Sequence, residues 1–221
     1  MFRKYEKTYR ILVPQIATKG KHYLSKDEVK KLLGGNVTIM EKLDGANVGI
    51  IRHKDTFKLQ KRGSLVGESE HKQFGLFKAW TYNNYDKIMK IPRNTILYGE
   101  LMFVKHTIFY DKLPDYFVPF AWYDRRSDRY HSYEELKELC DEIGFVTAPL
   151  LYQGHIDRMA LFDLIPEVSN FGSKKAEGLV VWNHKNGMRG KVVRAEFQKK
   201  MDDDGHWMRK KITLNKLKDS K

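Results

Sequence analysis

The stretch Glu41-Lys42-Leu43-Asp44-Gly45-Ala46-Asn47 reads as a strand that delivers a lysine into a tight acidic turn. A lysine acts as a nucleophile only when its amine is neutral. An exposed one titrates near about 10.4, so a cationic or desolvated surrounding must lower it. Arg62, in Lys61-Arg62-Gly63-Ser64, carries a guanidinium whose planar fork can grip a phosphate. Glu100, in Tyr98-Gly99-Glu100-Leu101, is flanked by apolar strand residues and a glycine, a poor setting for an ordinary surface carboxylate. Phe120, Trp122 and Tyr123 precede Asp124 and offer flat rings on which a base can stack, at about 1–3 kcal/mol per base. Glu177 stands directly ahead of the apolar run Gly178–Trp182, where a carboxylate suits a hard divalent cation. Lys191 and Arg194 close the series. Taken singly, each has a plain explanation: an exposed β-turn, a solvated loop arginine, core aromatics, a cross-strand ion pair.

Taken together and in this order, the segments resemble the motifs of the covalent nucleotidyltransferases, the polynucleotide ligases and capping enzymes. Lys42 to Gly45 is similar to motif I (K-x-D-G), Arg62 to motif Ia, Glu100 to motif III, Tyr123-Asp124 to motif IIIa, Glu177-Gly178 to motif IV and Lys191 to Arg194 to motif V. Motif V departs from the pattern, since Val193 stands where a second lysine is common, so either Arg194 substitutes or Lys191 acts alone. The start Met-Phe-Arg-Lys-Tyr and Asn47 further resemble the RNA ligases that seal nicks in duplexes.

The resemblance implies an α+β, antiparallel-sheet nucleotidyltransferase domain, ATP-grasp-like, with flanking helices and no C-terminal OB domain. It implies an ATP-dependent ligase that joins a 5′-phosphate to a 3′-hydroxyl through AMP carried on Lys42. Lys42, Asp44, Asn47, Arg62 and Lys191 are the implied catalytic residues. Glu41, Lys42, Arg62, Glu100, Tyr123, Lys191 and Arg194 would bind the nucleotide, with Tyr123 stacked on the purine, and Glu177 would hold Mg2+ or Mn2+. Phe120 or Trp122 is an alternative stacking ring, and at least two of the three are expected in the core. The expected partner is a nicked RNA, DNA or hybrid duplex, handled by a monomer. Asp44 is the form of motif I usual in DNA ligases, which makes a minimal DNA ligase the alternative. A capping guanylyltransferase or a non-catalytic nucleic-acid-binding module lies further off.

The elements that must position these residues follow from the same sequence. Ser25 caps a short helix closed by Gly34-Gly35, and strands at 37–41 and 46–60 flank the turn at Asp44-Gly45. Residues 73–89, 132–143 and 156–164 have helical spacing, whereas Thr95–Phe103, Tyr116–Tyr123, Gly178–Trp182 and Lys191–Arg194 read as core strands. Residues 1–197 form one domain in this reading, and 198–221, with eight Lys or Arg against four Asp, form a basic tail disposed to touch a phosphate backbone. Lys plus Arg number 41 against 28 Asp plus Glu, a formal charge of +13 that attracts polyanions. A lone cysteine, Cys140, excludes a disulfide framework, and the absence of a signal-like start or long apolar run suits a soluble protein of the cytoplasm.

Overall fold

A computed structural model describes residues 2–16, 22–68, 71–197 and 212–219. In chain order the elements are β1 (Tyr9–Arg10), α1 (Lys26–Leu33), β2 (Val37–Lys42), β3 (Ala46–His53), β4 (Thr56–Lys61), β5 (Ser64–Leu65), α2 (Lys72–Asn83) and α3 (Tyr85–Lys90). There follow β6 (Thr95–Leu101), β7 (Phe117–Asp124), β8 (Arg129–Tyr130), α4 (Tyr133–Ile143), β9 (Leu150–Gly154), a 3-10 turn at Arg158–Leu161, β10 (Gly178–Asn183) and β11 (Met188–Val193). This is the α+β class that the sequence implies. One sheet has the order β1-β11-β10-β2-β9, and the other β5-β4-β3-β6-β7-β8. All pairings within them are antiparallel except β1 with β11.

The chain passes from the first sheet to the second at the turn Leu43–Gly45, between β2 and β3. A central apolar layer including Met40, Leu43, Ile51, Tyr98 and Trp182 draws on both sheets. A second cluster packs α2, α3 and α4 on the outer face of the β3–β6–β7 sheet, and a third packs α1 on the β2–β10–β11 sheet. β2 is covered on both faces, by the central layer at Met40 and by the α1 layer at Val37 and Ile39, so Val37 to Glu41 are all buried. Each fully buried Leu, Ile or Phe in these layers contributes about 1.5–3 kcal/mol.

Helix ends follow local chemistry. Ser25 and Ser132 form capping boxes with Glu28 and Glu135, and Gly144 closes α4 in the left-handed conformation. The helical run expected over 73–89 breaks at Asn84, whose side chain and backbone amides turn back to the Trp80 carbonyl. The helix expected at 156–164 is only the 3-10 turn. The strand expected over 46–60 is a hairpin, with Lys54 at positive φ in its turn and the buried Arg52 guanidinium bonding the Lys54 and Thr56 carbonyls.

The composition of the chain sets the expected end of the folded body at Phe197. Residues 198–211 of the expected tail lie outside the described residues, but 212–219 run along the 103–113 segment, with bridges Val104 to Leu214 and Leu113 to Leu217. Among the described residues no helix is long and apolar enough to cross a membrane.

Candidate active site

Lys42 is the last residue of β2, and antiparallel register sets it opposite Gly178 on β10, so Glu177 arrives beside it. Its Nζ donates to Glu177 Oε2 at 2.6 Å, with the lysine side chain 21% exposed and the glutamate 2%. Gly178 is required here, because a Cβ would lie 2.0 Å from the Val192 carbonyl oxygen. Immediately after Lys42 the chain turns so tightly that a Cβ on Gly45 would lie 2.5 Å from the Leu101 carbonyl oxygen. That approach lets the Gly45 amide donate to Glu100 Oε1 at 3.1 Å, and Glu100 stands opposite Asn47 in the β3–β6 ladder.

A cavity of about 640 Å3 opens over this junction, with Lys42, Glu41, Asn47, Arg62, Glu100 and Lys191 all in its wall. Residues from both sheets and from the β4–β5 hairpin therefore converge on one cavity. Burial pushes the Glu100 carboxyl up to about 7, with Glu177 and Asp44 adding to the rise and Lys42 opposing it. Burial likewise raises Glu177 against the pull of Lys42. Lys191 is pushed down to about 8, first by burial and then by the positive charge of Lys42.

Lys42 itself departs from expectation. Burial lowers its affinity for a proton, but the carboxylates of Glu177, Glu100 and Asp44 together outweigh burial and raise it. The expected depression does not arise from the protein alone, because the nearest groups are acids and not bases. Among these neighbours the amine is the cation of a buried carboxylate cluster.

Three of the expected site residues face elsewhere, and Glu177, though bonded to Lys42, is not part of the cavity wall. Asp44 Oδ2 accepts from the Thr107 and Ile108 amides at 2.6 and 2.8 Å, so its carboxylate anchors the neighbouring loop and does not line the cavity. Arg194 donates to the Ile165 and Pro166 carbonyls at 3.3 and 3.2 Å, away from the cavity wall. Tyr123 is 3% exposed, bonds Asp128 and lies beneath the Arg3 guanidinium at 4.2 Å, which makes it a core residue. Trp122 stacks on His131, with ring centroids 3.5 Å apart. Glu41 touches the cavity, but its carboxylate is engaged by Ser169 Oγ and by both amide groups of Asn170.

Of the three candidate stacking rings, Phe120 is the one that reaches the cavity. The β6–β7 register slips between Tyr98 and Gly99, where Tyr98 pairs with Ala121 and Gly99 with Pro119, leaving Phe120 as the extra residue of a β-bulge. Phe120 and Ala121 consequently pack on the same central cluster instead of alternating. Period-two reading of Phe-Ala-Trp-Tyr cannot reveal such a slip. Tyr5, Glu6 and Thr8 also line the wall, as do Lys61, His71, Phe74 and His106. The N-terminal strap is held by Arg189, whose guanidinium meets Glu6 Oε2 at 2.5 Å and lies over the rings of Tyr5, Tyr130 and Trp182 at 4.7, 4.2 and 4.4 Å. Only Lys61, adjoining Arg62, carried a local signal for this placement.

A family model described as RNA ligase matches residues 35–194, from just before β2 to just past β11. The chain belongs to the RNA ligase family. Its fold is that of Naegleria gruberi RNA ligase, solved as a lysine-to-alanine mutant with ATP and Mn (TM-score 0.67, 18% identity, covering 80% of this chain and 55% of that one). A lysine-to-methionine mutant with AMP and Mn gives a TM-score of 0.66 at 18% identity, with the same 80% and 55% coverage. The same ligase with PPi gives 0.60 at 19% identity, again over 80% and 55%. At such identities the likeness is one of fold, and the chain spans about 55% of the length of those ligases. No curated protein gives a significant match.

In this RNA ligase family chain, no cluster of three or more His, Cys, Asp or Glu among the described residues is arranged to hold a metal ion. Glu177 nevertheless keeps a buried oxygen, Oε1, that accepts no hydrogen bond, while Oε2 serves Lys42. One unpaired carboxylate oxygen fits Mg2+, which takes few protein ligands and completes its shell with waters and substrate phosphates.

Proposed function

We propose that the chain is an ATP-dependent polynucleotide ligase that seals 5′-phosphate/3′-hydroxyl breaks, with nicks in RNA-containing duplexes as its substrate and Lys42 as the carrier of AMP. The observation that carries this reading is Lys42 in the wall of a cavity that also presents Glu100, Arg62 and Lys191, with its amine bonded to the buried Glu177 at 2.6 Å. Family membership and the relatives solved with ATP, AMP, PPi and Mn support it.

In this mechanism the base stacks on Phe120, and the ribose hydroxyls donate to Glu100. The Lys42 amine passes a proton to Glu177 Oε2 and attacks the α-phosphorus. A nitrogen–phosphorus bond forms as the bond to pyrophosphate breaks, and Lys191 and Arg62 neutralise the departing charge. The 5′-phosphate of the nick then displaces the lysine to take up AMP, and the 3′-hydroxyl displaces AMP to close the strand. A divalent cation held at Glu177 would lower the charge on the phosphates and favour the neutral amine. Asn47, at the cavity wall with a buried Oδ1 that accepts no hydrogen bond, serves the polynucleotide steps in this mechanism. The formal charge of +13 supplies salt-sensitive attraction to the duplex.

Intact-mass measurement after incubation with ATP or GTP and magnesium tests the reading. A single AMP adduct with ATP is expected, and no adduct on an otherwise folded protein refutes it. A panel of RNA, DNA and hybrid nicked duplexes then tests the preference for RNA, which equal sealing of an all-DNA nick would overturn.

A further inference from the structure

Asn215 is 2% exposed, although it lies in the polar, basic C-terminal stretch. Its Oδ1 accepts from the Tyr110 amide at 2.9 Å and its Nδ2 donates to the Met102 carbonyl at 2.8 Å. Both contacted residues touch the turn after Lys42. Tyr110, fully buried, accepts the Asp44 amide on its hydroxyl at 2.9 Å, and the Met102 sulfur would lie 2.8 Å from a Cβ on Gly45. Asp44 answers by accepting the Thr107 and Ile108 amides of the same loop. The loop is thus stapled on one side to the Lys42 turn and on the other to residues 212–219, where Lys105 and Thr213, Asn215 and Phe103, and Lys216 and Tyr110 share backbone bonds of 2.8 to 2.9 Å.

From this geometry we infer that residues 212–219 belong to the catalytic unit, and that Asn215 is a positioning residue that fixes the Lys42 turn through Tyr110 and Met102. The turn has few other restraints among the described residues. Its amides at Asp44 and Gly45 bond side chains, those of Tyr110 and Glu100. An alanine at 215 leaves the Tyr110 amide and the Met102 carbonyl buried without their partner, so the loop relaxes and carries the turn with it. Misplacement of a nucleophile by about 1 Å costs on the order of 100-fold in rate.

The inference rests on the lysyl-AMP reading, and its test separates the two. Full-length parent, Tyr110→Phe, Asn215→Ala and the double variant are each mixed with ATP and magnesium. The rate of covalent labelling is followed alongside the labelled fraction, the ATP concentration for half-maximal rate and Tm. Labelling of each single variant slowed roughly 10-fold or more, at a half-saturating ATP concentration changed less than about 3-fold, is the expected result. The double variant is expected to be little slower than the worse single one, as befits two links of one chain. A smaller labelled fraction with an unchanged rate, or effects that multiply in the double variant, overturns the positioning role. Should Asn215→Ala fail to fold, Tyr110→Phe decides alone, and a parental rate there overturns it. Absence of labelling in the parent refutes the lysyl-AMP reading instead.

Discussion

Lys42 Nζ and Glu177 Oε2 lie 2.6 Å apart although their residues are separated by most of the chain, because β2 and β10 are hydrogen-bonded neighbours with Lys42 opposite Gly178. Glu177, with Glu100 and Asp44, holds the Lys42 amine protonated against the effect of burial. If Lys42 carries AMP, its amine must first lose a proton, and Glu177 is the bonded acceptor.

Glu177→Gln removes the proton acceptor and the unpaired anionic oxygen while preserving volume. Covalent labelling by ATP should fall about 100-fold or more, the usual range for loss of a positioned base. Lys42→Ala should abolish labelling altogether. Quantifying the adduct by intact mass over time checks both, and a Glu177→Gln protein that labels at the parental rate would remove Glu177 from the chemistry.

Glu100 binds its proton more tightly in the folded protein, up to about 7 against an ordinary value of 4.5. The folded state therefore holds the extra proton across that window, and stability contributed by this group is lost as pH rises from about 4.5 to about 7. Glu100→Gln, which cannot ionise, should show a shallower fall in Tm over that window than the parent. Parallel Tm curves for the two proteins would contradict the assignment.

Lys191 has the opposite displacement for a cation, from 10.5 down to about 8, so its charge is lost at a lower pH than an exposed lysine's. If that charge assists the leaving pyrophosphate, the labelling rate should decline above about pH 8. Lys191→Arg, which stays protonated, should extend activity to higher pH. A pH–rate profile of the two proteins decides, and identical alkaline limbs would dismiss the role.

Phe120→Ala should raise the ATP concentration for half-maximal labelling by about 5- to 150-fold, the equivalent of about 1–3 kcal/mol of stacking. Tyr123→Phe removes only the hydroxyl that bonds Asp128 and should leave that concentration unchanged while lowering Tm. A dependence on Tyr123 with indifference to Phe120 would reverse the assignment of the stacking ring.

Features governed by residues near one another along the chain were legible in the sequence. The Ser25 cap, the strand–turn–strand around Asp44-Gly45 and the apolar runs of β6, β7 and β10 all follow from side-chain chemistry and periodicity within a few residues. The set Lys42, Asn47, Arg62, Glu100 and Lys191, which the fold brings to one cavity, was legible only through its resemblance to the motifs of the covalent nucleotidyltransferases.

Features set by register and by chain reversal were not legible there. One extra residue in β7 moves Phe120 to the cavity and leaves Tyr123 in the core, a slip that leaves no trace in a period-two pattern. Asp44 and Arg194 carry the right charges in the right places along the chain, but backbone amides and carbonyls brought by the 107–108 and 165–166 segments capture them. The sequence by itself determined which groups were available for the chemistry and the local elements that bear them. Tertiary structure decided which of them face the cavity and at what charge, because packing selects the partners of each polar group and burial sets what its ionisation costs.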